Sequence, residues 1–116
     1  MKKLTLQYHH LGIPTRRRRK GEAHFKKHKV FHSGYGTSKF GIEWMRYEKG
    51  CPLPKIVQTL PHVAFEVDDV RRAIRGQNVI IQPNSPSRGV VVAFIEENGA
   101  PVELIQTRKR NRVNKP

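Results

Sequence analysis

Two short patterns recur in this chain, and a 116-residue protein that repeats itself has few ways to fold. The segment His10-Leu11-Gly12-Ile13 matches His62-Val63-Ala64-Phe65 residue type for residue type, and Gly41-Ile42-Glu43-Trp44 matches Pro101-Val102-Glu103-Leu104. Each half thus has a histidine on an opening strand and a glutamate on a closing strand. The length allows a single domain of two small modules.

The second half shows the unit most clearly. His62 to Val67 alternates with strand period, with Val63, Phe65 and Val67 on one face and His62, Ala64 and Glu66 on the other. Asp68 or Asp69 then caps a short helix over Val70 to Arg75, where Val70, Ala73 and Ile74 are spaced to dock on a sheet and Gly76 ends it. Strands are expected at Asn78 to Gln82, Gly89 to Glu96 and Ala100 to Gln106, with a tight turn at Glu97-Asn98-Gly99. The order is β-α-β-β-β.

The first half is a more compact version. Leu4 to Ile13, Lys29 to His32 and Gly41 to Tyr47 read as strands, but Thr15 to Glu22 is too charged to carry an apolar helical stripe. An irregular basic loop is expected where the second half has its helix. The expected fold is therefore α+β: two βαβββ modules, the first without its helix, forming a cup-shaped mixed sheet. Module one spans residues 4–48, a Pro- and Gly-rich linker residues 49–61, and module two residues 62–106. Residues 107–116, TRKRNRVNKP, are expected to be a disordered basic tail.

The repeat places polar residues in a chemically meaningful set. Leu11 and Ile13 share a face with Val63 and Phe65, while His10 and His62 point the other way with Glu43 and Glu103. A two-fold arrangement brings two imidazoles and two carboxylates onto one concave face, a donor set suited to Zn, Fe, Mn, Ni or Co. A lone strand-end histidine is most simply a hydrogen-bonded or exposed residue; recurrence at matching positions is what points to a divalent metal ion. His9 beside His10 leaves the ligand open, with strand parity favouring His10. Met45 and Tyr47 share the Glu43 face and, with Tyr8 on the first strand, are candidate substrate contacts.

The segments HHLGIP, PHVAFEVDD and NGAPVELIQ, with RGVVVAFIEE between the last two, resemble the vicinal-oxygen-chelate superfamily. That group includes glyoxalases, extradiol dioxygenases, methylmalonyl-CoA epimerases and fosfomycin- and bleomycin-resistance proteins. The resemblance covers about residues 4–106, with the first half matching only at its two ends. It implies metal ligands at His10, Glu43, His62 and Glu103, an ion chelated by two neighbouring substrate oxygens, and Glu103 or Glu43 as the base. The superfamily also contains members that bind ligands without metal or catalysis, since fold does not fix activity. First-module compactness, 33 residues from His10 to Glu43 against 41 from His62 to Glu103, leaves two arrangements open: modules pairing within one chain, or across a homodimer.

Charge narrows the partner classes. The formal net charge of +14 divides into +10 over residues 1–52, −1 over 53–106 and +5 over 107–116. Most of the first-half charge lies in Arg16 to Lys20 followed by Lys26, Lys27 and Lys29, without the interleaved aromatics of a strand-stacking platform, so nucleic acid is the least favoured partner. An anionic small molecule fits the charge better. No segment approaches the ~20 apolar residues of a membrane span, and no apolar run of signal-peptide length follows the first basic residues. The single cysteine, Cys51, makes no internal disulfide, so the expected compartment is the cytoplasm. The leading expectation is a metal-dependent lyase, isomerase or dioxygenase acting on a small oxygenated anionic metabolite. A non-catalytic binding or resistance protein of the same fold is the alternative.

Overall fold

Runs of β-branched residues alternating in polarity call for a sheet whose two faces meet different surroundings. A computed structural model describes residues 5–107, and these form one mixed, curled sheet of eight strands. The strands are β1 (Gln7–Pro14), β2 (Ala23–Phe25), β3 (Val30–Ser33), β4 (Ile42–Tyr47), β5 (His62–Glu66), β6 (Asn78–Asn84), β7 (Val90–Glu97) and β8 (Ala100–Thr107). The helices are α1 (Lys55–Thr59) and α2 (Val70–Ala73).

Sheet order is β2-β3-β4-β1-β5-β8-β7-β6, so the two modules lie back to back about the β1–β5 seam. Each module repeats one scheme. Its opening strand runs parallel to its closing strand (β1 with β4, β5 with β8), and the remaining pairs are antiparallel. Register repeats as well, because Gly12 stands opposite Glu43 just as Ala64 stands opposite Glu103. The seam itself is antiparallel and centres on Leu11 opposite Val63, with His10 opposite Ala64 and Gly12 opposite His62. Both modules of a single chain therefore supply the concave face.

The core is concentrated in the second module. Val67, Val70, Ala73, Ala93, Ile95 and Leu104 form one buried cluster between the convex face and α2. Asp69 caps α2, accepting a hydrogen bond from the Arg72 backbone N–H at 3.2 Å. The helix is shorter than the expected 70–75 span, because its last turn tightens: Arg75 N–H bonds to Arg72 C=O before Gly76 turns away at φ +74°. At the β7–β8 turn both Asn98 (φ 51°) and Gly99 (φ 86°) have positive φ, as a tight two-residue hairpin requires. β6 continues to Asn84, past the expected end at Gln82.

In the first module the loop over residues 15–22 is non-helical, as its charge predicted. It covers the convex face by its own means: Arg19 lies 5.0 Å from the Trp44 ring centroid, and Glu22 grips Arg46 through two hydrogen bonds of 2.8 and 2.9 Å. Three features differ from expectation. β2 is a strand of only three residues, too short to show a period. The linker folds in part, with α1 following Pro54 and carrying the fully buried Val57. β1 begins at Gln7, while Leu4 and residues 108–116 of the expected tail lie outside the described residues; Thr107 ends β8. Among the described residues no helix is long and apolar enough to cross a membrane.

Asp69→Ala should lower unfolding free energy by about 1 kcal/mol, the usual worth of a side-chain N-cap. Denaturant titration monitored by circular dichroism measures it; no change in midpoint would mean that docking of α2, not its cap, holds this helix.

Candidate metal centre

The seam register decides which side chains meet. Strand alternation turns His10 and His62 to the concave face from opposite sides of the β1–β5 pair, and Glu43 and Glu103 reach it from β4 and β8. His10 Nε2 lies 3.3 Å from His62 Nε2 and 3.4 Å from Glu103 Oε1, and His62 Nε2 lies 3.1 Å from the same Oε1. Both histidines are buried, so none of these groups is well placed to turn instead to bulk water. His10, His62 and Glu103 form the described group of three ligand atoms close enough for one ion. Glu43 is adjacent, with Oε1 3.5 Å from His10 Nε2.

The spacing can be tested against coordination geometry. An ion about 2.1 Å from each donor sets donors about 3.0 Å apart at right angles and about 3.4 Å apart at the tetrahedral angle. The three separations, 3.1, 3.3 and 3.4 Å, fall across that range. Nitrogen and carboxylate donors fit a borderline divalent cation, so the residues present suit the group that the sequence implied.

Gly12 is part of this geometry. A Cβ built on it would lie 2.1 Å from His62 Cε1 and 2.6 Å from both ring nitrogens. The His62 imidazole therefore lies directly on the Gly12 backbone, an approach that only glycine permits. Phe94 packs edge-on with the same ring, with centroids 5.1 Å apart.

Electrostatics follow from burial and from these contacts. Burial by itself would raise the Glu103 carboxyl, but hydrogen bonds from His10 and His62 and their charges outweigh it and bring it down to about 2. The carboxylate is thus ionised throughout the neutral range. Burial, reinforced by the negative charge of Glu103 and by Cys51 and Glu43, raises the Tyr47 phenol, so it enters the cavity as an O–H donor. His32, a residue that the repeat did not single out, holds Glu43 Oε2 through Nδ1 at 3.1 Å, and that hydrogen bond raises His32 above its ordinary value. His9 is lowered, first by burial and then by His10 beside it.

Above the cluster is a cavity of about 220 Å3. Met45 and Tyr47 line it, with Phe25, Leu53, Val57, Ile81, Val92 and Phe94 supplying apolar wall. Tyr8 is not brought there. The β1–β5 register slips by one residue between Tyr8 and His10, a bulge that inserts His9 and reverses the parity of everything before it. Tyr8 consequently pairs with Phe65, is 49% exposed, and donates its hydroxyl to Phe40 C=O at 2.7 Å.

A curled mixed sheet of two such modules, with a His-His-Glu cluster on its concave face, has the general form of a glyoxalase-like, vicinal-oxygen-chelate fold. The sequence matches no family model, and no curated protein matches it significantly.

Gly12→Ala should force the His62 ring off its seat, costing about 1–3 kcal/mol of stability through overpacking, and should weaken by about tenfold or more any divalent-ion binding that the cluster supports. Chelator competition and thermal unfolding report the two effects separately. Unchanged metal affinity would mean that His62 need not stand where the seam places it.

Proposed function

We propose that this protein binds one divalent metal ion through His10, His62 and Glu103, with Glu43 completing the set, and acts on a small oxygen-chelating molecule. The observation that carries the reading is the mutual 3.1–3.4 Å spacing of three donor atoms at the base of a largely apolar cavity. When bound there, the ion would act as a Lewis acid on two neighbouring oxygens of the ligand. The chain's own residues do the rest. Tyr47 offers a hydrogen bond from a phenol that stays protonated, and the apolar wall takes the body of the molecule and excludes water.

Glu43 is the carboxylate placed to move a proton. It stands beside the three closest donors, touching only His10 among them, whereas Glu103 Oε1 is committed to both imidazoles. Among the described residues no lysine or arginine lines the cavity, so the negative charge of an anionic ligand belongs at its chelating end. The favoured ligand is a small molecule with paired oxygens and an aliphatic or aromatic body. The single chain supplies all four candidate ligands, which supports a site that needs no second copy.

Elemental analysis of purified protein, paired with thermal shifts across divalent ions, tests this. Wild type and Arg17→Ala should each hold roughly one ion per chain, and His62→Ala should hold almost none. Equal metal content in wild type and His62→Ala, or no response to any divalent ion, overturns the reading. Turnover lost on chelation and restored by metal would favour an enzyme over a binding protein.

A further inference from the structure

The bulge that takes Tyr8 out of the cavity also does something for the metal site. It places two consecutive residues of β1, His9 and His10, opposite the single residue Ala64, so the two rings stand side by side instead of on opposite faces. Their Nδ1 atoms are 2.8 Å apart. Two neutral imidazoles that close share one proton: one ring donates and the other accepts. His10 Nε2 is the atom that faces His62, Glu103 and Glu43. For that nitrogen to offer a lone pair to an ion, the proton of His10 must reside on Nδ1, and His9 Nδ1 must accept it.

We propose that His9 is the positioning residue of the metal centre, fixing the tautomer and ring plane of His10 by accepting its Nδ1–H. The inference rests on the metal-binding reading above and adds a role that the repeat does not contain, because the position matching His9 in the second module is Pro61. His9 is itself held in place: its ring stacks on Tyr35, with centroids 5.0 Å apart and planes within 3°. Tyr35 also meets His10 edge-on at 5.9 Å, so one aromatic fixes the angle between both imidazoles, which lie at 75° to each other. A ligand histidine whose second nitrogen is engaged binds metal more tightly, and loss of such a partner costs about 10- to 100-fold in affinity.

The alternative role for His9 is ligation, and two substitutions separate the two. His9→Phe keeps a ring to stack on Tyr35 but removes the acceptor; His9→Asn keeps an oxygen acceptor near the place of Nδ1 but gives up the ring. Cobalt(II) affinity by chelator competition, the visible spectrum of the cobalt(II) protein and the melting temperature of the metal-free protein are measured for each. If His9 positions His10, His9→Phe binds cobalt about 10- to 100-fold more weakly, with an altered spectrum at an unchanged metal-free melting temperature, and His9→Asn recovers much of the affinity. Wild-type affinity and spectrum in His9→Phe overturn the proposal while leaving the metal site standing. Equal, severe loss in both variants overturns it in favour of His9 as a ligand. No cobalt binding by wild type overturns this inference together with the metal site.

Discussion

Everything at the concave face depends on the antiparallel register of β1 and β5. With Leu11 opposite Val63, His10 and His62 fall on the same face of the sheet at symmetric positions, and the residues across from them are Ala64 and Gly12. A slip of one residue on either strand would send one histidine to the convex face, where α2 or the basic loop packs. The register is also specified sterically. The His62 ring needs a neighbour without a Cβ, and Gly12 is the residue of β1 that stands across from it. The same glycine thus pins strand pairing and seats a candidate ligand, so fold and site are constrained by one contact.

The cluster that this register creates is costly by itself. Two carboxylates approach one buried imidazole, with Glu43 at 3.5 Å and Glu103 at 3.4 Å from His10 Nε2. With neutral imidazoles the group carries a formal charge of −2 in a poorly solvated place, where like charges repel and lose hydration together. A divalent cation held by these groups would offset that charge.

Much of this was legible in the chain because the repeat encodes its symmetric part. The matching of His10 with His62 and Glu43 with Glu103 reads directly onto two parallel strand pairs with one register. The asymmetric part was not legible, for the same reason. His32 has no polar counterpart: it pairs with Met45 on β4, and the equivalent position on β7, opposite Ile105, is Val92. His9 is an inserted residue, and insertion disturbs the alternation from which faces are read, so strict alternation puts Tyr8 on the cavity face and gives no signal for Tyr35. The helix α1 leaves no sequence signal because five residues between prolines show no periodicity. Its burial of Val57 comes from the tertiary position of the linker against the cavity.

Net charge was the least transferable signal. The +10 of the first fifty-two residues suggested an anionic ligand, but its densest run, Arg16 to Lys20, lies on the loop that packs against the convex side through Arg19 and Trp44. Trp44 and Glu43 are consecutive on β4 and so point to opposite faces, which puts the sheet between the loop's anchor and the candidate ligands. At physiological ionic strength exposed charges are screened over about 8 Å. The loop's anchor thus stands away from the cavity, whose wall above the candidate ligands is largely apolar. On the proposed reading, a ligand with paired oxygens and an apolar body would match that cavity, and the surface charge would bear on its rate of encounter.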